Sequence, residues 1–178
     1  MLDYRITSLA DLNSTLKDFN ATHLISLVDT DMSAPATPTH LHGRHLVLFM
    51  HDLDVVDDGG RPGNPHSDHV SDILGFAIDH LTDDGVRAVF QCTAGRRRSA
   101  AAALLSDLMV RTFHGQTPTD AVVTGAWDRM IALRSIADPN KALLALGDCQ
   151  MNANGAVMRC AESRPRFLTL DPSDDQDL

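Results

Sequence analysis

Gln91-Cys92-Thr93-Ala94-Gly95-Arg96-Arg97-Arg98-Ser99 is the stretch from which the fold of this chain is read. An apolar run (Val86, Ala88, Val89, Phe90) leads into it, and Ala100 to Ala103 with Leu104-Leu105 follow it. That pattern predicts strand, tight turn, helix. The turn holds a cysteine, five intervening residues, an arginine and then a hydroxyl side chain. Each part suits a phosphate ligand. Backbone N–H groups converging at a helix N-terminus form an anion cradle. The same field favours thiolate, the nucleophilic form of cysteine. Arg98 offers a planar fork to two phosphate oxygens, and Gly95 lets the backbone turn inward without a Cβ clash.

Working outward, strands alternate with helices. Residues 4–7 predict a short first strand, and Ser8 with Asp11 reads as a capping box opening a helix marked by Leu9, Leu12 and Leu16. Thr22 to Val28 predicts a strand ending at Asp29; two prolines make 30–39 a loop. Arg44 to Met50 is apolar enough for a strand buried on both faces. A polar, acidic loop follows from His51 to Pro65. Ser67 is the expected N-cap of a helix through Leu81, and Val86 to Gln91 is the next strand. Helices follow over about 98–113, from Thr117-Pro118-Thr119-Asp120 with proline in the first turn, and from Asp138-Pro139 over Ala142, Leu143 and Leu146. The expected fold is a single α/β domain over residues 1–161. It has a mostly parallel central sheet of four to five strands flanked by helices, and a polar tail at 162–178. In such a sheet the Cys92 loop sits at the carboxyl end of a strand, where ligands bind.

Composition narrows the function. A length of 178 residues, 43% apolar and 22% charged, suits one soluble domain with a real core. No apolar stretch approaches the roughly 20 residues of a membrane span, and the first residues lack a signal-peptide layout. A cytoplasmic protein is expected, with no membrane partner. The net charge of −9 argues against nucleic-acid binding, which makes three adjacent arginines notable: without a balancing anion or carboxylates they repel one another.

The other cysteines, Cys149 and Cys160, have no metal-like spacing and read as small apolar side chains. His40, His42, His45, His51, His66 and His69 cluster but match no ligand motif. Neither metal nor cofactor is expected; His51 and His69 are candidates to line a pocket.

These residues resemble the cysteine-dependent protein tyrosine phosphatases. The match is to the Cys-x5-Arg-Ser/Thr signature, here Cys92, Arg98 and Ser99. Over roughly residues 22 to 160 the chain looks most like a group of small bacterial tyrosine phosphatases. Their landmarks appear as Thr22 to Leu27, His45 to Leu48 with Asp52, Pro65, His69-Val70, the Cys92 loop, Leu133-Arg134 and Asp138-Pro139-Asn140. The family usually has His before the cysteine, where this chain has Gln91, and small or apolar residues where it has Arg96 and Arg97.

The resemblance implies hydrolysis of phosphotyrosine or a similar monoester, on a phosphorylated protein or a small molecule. Cys92 would form a phosphocysteine. The 93–98 backbone (Thr93, Ala94, Gly95, Arg96, Arg97) and Arg98 would bind phosphate. Ser99 would assist the thiolate, and Asp52 would be the general acid, with Asp54, Asp57 and Asp58 as rivals. If Arg96 and Arg97 face the mouth, they favour substrates with extra negative charge. Two other readings stand beside this one. One is a phosphate-binding module with little or no turnover, suggested by Gln91. The other is rhodanese-like sulfur transfer, which uses a shorter cysteine loop. The oligomeric state is left open.

Overall fold

A computed structural model describes residues 1–55 and 63–164 of the chain. Its centre is a four-stranded sheet of β1 (Asp3–Ser8), β2 (His23–Val28), β3 (His45–Phe49) and β4 (Arg87–Cys92), ordered β1-β4-β2-β3. Every pairing is parallel. A parallel sheet sends all strand exits to one side. Register therefore juxtaposes the ends at Ser8, Asp29, Met50 and Cys92: Ser8 and Leu27 both pair with Cys92, and Val28 pairs with Phe49.

The strands follow from their composition. All six β2 residues are buried, which requires cover on both faces. On one face lies α1 (Leu12–Asp18), packing Leu12 and Leu16 on Leu24, Leu41 and Val89. The other face carries α2 (Ser67–His80), α3 (Arg98–Phe113), α4 (Asp120–Leu133), α5 (Lys141–Gln150) and α6 (Ala156–Ser163). Helix α3 is buried on nearly all sides, from Arg98 through Leu105, and so it is the central helix of that layer. It thereby fixes the direction of the loop that feeds it.

Several local readings shift. Ser8 closes β1 rather than opening a helix. One bond of the expected box forms, Asp11 N–H donating to Ser8 Oγ at 3.2 Å; the Asp11 carboxylate accepts from the Ser8 hydroxyl at 2.8 Å rather than from its backbone N–H, and the regular helix begins at Leu12. The cap of α2 is His66, not Ser67. Its ring accepts from Asp68 N–H, and His69 accepts from His66 N–H, a capping box built from two stacked imidazoles. Pro118 lies before α4, whose N-cap is Thr119. Asn140 caps α5 through Leu143 N–H, so α5 starts after Asp138-Pro139.

The expected tail begins inside α6, a helix with no counterpart in the sequence reading. Asp148 holds its start by accepting from Gly155, Val157 and Met158 N–H. Residues 165–178 and the 56–62 part of the acidic loop, including Asp57 and Asp58, lie outside the described residues.

At the far end of the sheet His23 is buried against Phe76 and His80. Burial, and then the Arg44 charge, lowers its pKa to about 4. The unfolded chain titrates near 6.5, so the neutral ring contributes stability above that pH. The contribution is lost as pH falls from about 6.5 towards 4, because only the unfolded state readily takes the proton. His23→Gln should therefore flatten the loss of melting temperature between pH 6.5 and 4.5, by about 2–4 °C for an effect of order 1 kcal/mol. Parallel pH curves for the two proteins would refute this.

Candidate active site

The loop between β4 and α3 is shaped by what its carbonyls bind. Thr93 O accepts from Leu9 N–H at 3.1 Å, and Gly95 O from Arg134 Nε at 3.1 Å. Arg96 O accepts from Asp138 N–H at 3.1 Å, and Arg97 O from Asn140 N–H at 3.2 Å. Among the described residues no peptide bond is cis. In a planar trans peptide the next N–H points away from the carbonyl. With four carbonyls drawn outward, the N–H groups of Ala94, Arg96, Arg97 and Arg98 face the opposite way, into the turn. Gly95 makes this possible with a φ of +62° and with its Cα pressed against the Thr7–Ser8 backbone.

Cys92 is 1% exposed, with Sγ 3.1 Å from Ser99 Oγ at the start of α3. Thr93 and Ala94 are exposed, and Gly95, Arg98 and Ser99 are buried. Alternation along β4 separates Gln91 from Cys92. Cys92, Phe90 and Ala88 belong to the helix-rich core, whereas Val89 faces the α1 layer, and Gln91 shares Val89's side. Gln91 is buried beside Thr7 and Ser26, its partners in register.

Arg98 is 3% exposed and pairs with Asp29 through both terminal nitrogens: Nη1 to Oδ1 and Nη2 to Oδ2, each at 2.9 Å. Partial burial pushes the Asp29 carboxyl upward. The hydrogen bonds from Arg98 and Thr93, with the Arg98 charge, outweigh that and hold it below the usual carboxylate range.

Arg97 is spent on carboxylates. It reaches Asp52 at 3.2 Å, Asp54 at 2.6 Å and Asp138 at 3.2 Å. Burial alone would make this guanidinium easier to deprotonate, but the two aspartates of the acidic loop reverse that and raise its pKa. The balancing carboxylates that three adjacent arginines call for are therefore present for both Arg97 and Arg98. Asn140, fully buried, donates through Nδ2 to Asp52 Oδ1 and to Leu53 O, each at 2.9 Å, and Lys141 N–H donates to Asp54 Oδ1 at 3.0 Å. The 52–54 segment is thus stitched to the rim of the Cys92 loop and to the start of α5.

Of the histidines, His51 bonds Thr30 through its ring and Gly63 O through its N–H, which closes the acidic loop back on itself. His45 bridges Ser26 and Thr37. Among the described residues no group of three or more His, Cys, Asp or Glu is arranged to hold a metal. Among the described residues no helix is long and apolar enough to cross a membrane. Asp29 was not among the candidates drawn from sequence. Its position at the carboxyl end of a strand was the available signal.

The fold is that of the protein tyrosine and dual-specificity phosphatases: a single α/β domain with a parallel four-stranded sheet flanked by six helices. Human DUSP28 matches with a TM-score of 0.57 at 18% identity, over 88% of this chain and 99% of that one. The Yvh1 phosphatase domain from Chaetomium thermophilum matches with a TM-score of 0.60 at 18% identity, over 86% and 93%. PTPMT1, in its complex with PI(5)P, matches at 0.52 and 15%, over 86% and 94%. No protein-family model matches the chain, and no curated protein matches it in sequence.

Proposed function

We propose that this chain is a cysteine-dependent phosphatase that hydrolyses phosphotyrosine or a similar phosphate monoester. The observation that carries the reading is the joint geometry of one loop. Cys92 Sγ lies against Ser99 Oγ, the N–H groups turn inward, and Arg98 is fixed beside them. The chemistry is in-line displacement. Cys92 thiolate attacks phosphorus as the ester P–O bond breaks, and the leaving oxygen takes a proton. Water then attacks the phosphocysteine, the P–S bond breaks, and Ser99 Oγ–H stabilises the returning thiolate. The inward N–H groups and Arg98 meet the charge that develops on the equatorial oxygens.

Asp52 is the proposed acid. Arg97 and Asn140 both donate to the same oxygen, Oδ1. A carboxylic acid held that way keeps its carbonyl oxygen against the two donors and presents Oδ2 as the O–H. After the first step the carboxylate can accept the proton of the attacking water. Phosphorylated proteins and small phosphomonoesters are both admissible substrates. The small bacterial group remains the proposed kinship within the superfamily.

The test is hydrolysis of aryl phosphates. Asp52→Asn should slow phenyl phosphate turnover by about 10²–10³-fold. It should slow nitrophenyl phosphate far less, because a good leaving group needs little protonation. Equal effects on both esters would move the acid role to another carboxylate, Asp54 first. Absence of turnover by the unaltered protein, with phosphate still bound, would instead identify a binding module.

A further inference from the structure

A single exposed apolar side chain carries no message, but several gathered at one place mark a surface that something covers. Among the described residues eight large apolar side chains are exposed, and four of them stand on the three loops that border the Cys92 loop: Met32, Leu53, Val55 and Ile136. The backbone puts each of them there. Met32 N–H closes a turn on Asp29 O, and the Asp29 carboxylate accepts from Thr93 Oγ1. Leu53 and Val55 flank Asp54, which is fixed to Arg97 and to Lys141 N–H. Ile136 lies between Arg134 and Asp138, whose Nε and N–H donate to Gly95 O and Arg96 O. A fifth exposed side chain, Phe49, ends β3 at the same end of the sheet.

The charges at the mouth work in the same direction. As a sequence, the arginine run favours substrates with extra negative charge. In the fold, Arg97 faces three carboxylates, those of Asp52, Asp54 and Asp138. An acidic side chain arriving on that side of the cradle meets like charge already in place, whereas an apolar one meets apolar surface that it can cover.

We propose that the rim of Met32, Leu53, Val55 and Ile136 docks the protein chain on either side of a phosphorylated residue, and that it selects apolar neighbours over acidic ones. The inference rests on the phosphatase reading above and names its substrate class, a phosphoprotein segment with leucine-like side chains beside the phosphorylated residue. Such a segment suits the rim better than a lipid surface does. The chain carries a net charge of −9, and three carboxylates stand at the rim, both of which an anionic bilayer repels. Contacts of this kind are the same before and during the chemical step, so the selection belongs in KM and not in kcat.

The test compares two phosphotyrosine peptides of equal length, one with leucine and one with glutamate on both sides of the phosphorylated residue, with phenyl phosphate as the reference ester. The unaltered chain is expected to show kcat/KM about tenfold higher for the leucine peptide, through KM. The double variant Val55→Ser/Ile136→Ser changes only exposed side chains. It should reduce that ratio to about threefold or less and leave phenyl phosphate turnover and the melting temperature unchanged. Equal KM for the two peptides, a preference for glutamate, or an undiminished ratio in the double variant overturns the proposal while leaving the phosphatase reading in place. So does co-sedimentation with phosphatidylcholine vesicles that the double variant loses while both peptides are treated alike, which would assign the rim to a membrane. Failure to hydrolyse phenyl phosphate and both peptides overturns the phosphatase reading and the proposal together.

Discussion

Cys92→Ser is expected to remove aryl phosphate hydrolysis, by about 10⁴-fold or more, and to leave inorganic phosphate binding within a few-fold of the unaltered chain. The two halves of the result come from different atoms. Hydrolysis through a phosphocysteine needs a thiolate that attacks phosphorus and later departs. A serine hydroxyl is a poor nucleophile without a base beside it, and its phosphate ester is a poor substrate for the second step. Binding depends instead on the inward N–H groups and on Arg98. Their positions are set by carbonyl bonds to Leu9, Arg134, Asp138 and Asn140 and by the Asp29 pair, none of which involves the sulfur. Serine is also the smaller side chain in a buried position, against Ser99 Oγ, and retains a hydrogen-bonding partner there. A variant that hydrolyses aryl phosphate at a tenth of the normal rate would exclude the covalent route. A variant that loses hydrolysis and phosphate binding together would show that Cys92 supports the loop's shape as well.

The part of this site legible from sequence is the part made by neighbours along the chain. Cys92, Gly95, Arg98 and Ser99 lie within one turn, and their spacing between an apolar strand and an alanine-rich helix is a local pattern. Both middle strands, β2 and β4, were readable as buried apolar runs. The run at 44–50, expected to be buried on both faces, instead forms the edge strand β3. His45, Leu46 and Val47 are only half-buried there and Phe49 is exposed, because no strand pairs beyond it in the sheet. Strand order was not readable. The insertion of β4 between β1 and β2 brings residues 8, 29, 50 and 92 together, and no local period encodes it. The roles of the arginines were hidden for this reason. As a sequence, Arg96-Arg97-Arg98 is an unbalanced run of charge. In the fold, Arg98 meets Asp29 across 69 residues, and Arg97 meets Asp52, Asp54 and Asp138. Such pairs tie the acidic loop to the cysteine loop, and they occupy charge that would otherwise be offered to substrate. The missed helix α6 did leave a trace: Ala156, Val157, Cys160 and Ala161 recur at helical spacing and are all buried. The pattern is short, and what fixes the helix is the distant Asp148 carboxylate on its first N–H groups.

Gly95→Ala is expected to have the largest structural effect of the glycine-to-alanine changes at the described positions with a positive φ, since only there does the added Cβ meet backbone. Two costs combine. Alanine at φ +62° sits in the left-handed region, at about 1 kcal/mol. Its Cβ would also overlap the Thr7 carbonyl carbon and Ser8 nitrogen, with Thr7 O only 2.6 Å away. These are backbone atoms of β1, paired in register with Gln91 and Cys92, and they have no rotamer into which to retreat. Overpacking of that kind adds about 1–3 kcal/mol. The sum, about 3 kcal/mol, corresponds to a fall of about 6–12 °C in melting temperature for a chain of this size. Gly43 supplies the control. It too has a positive φ, of +76°, but a Cβ built there meets nothing within 4 Å, so Gly43→Ala should cost only the conformational part. The difference between the two melting temperatures measures the close approach of the loop to β1. Function reports the same contact independently. If the loop relieves the overlap by moving, Gly95 O leaves Arg134 Nε and the neighbouring N–H groups turn out of the cradle. Phosphate affinity should then fall at least tenfold in Gly95→Ala and stay unchanged in Gly43→Ala. Equal melting shifts for the two alanines, with phosphate binding intact in both, would show that β1 yields to the methyl group and that the cradle does not depend on its proximity.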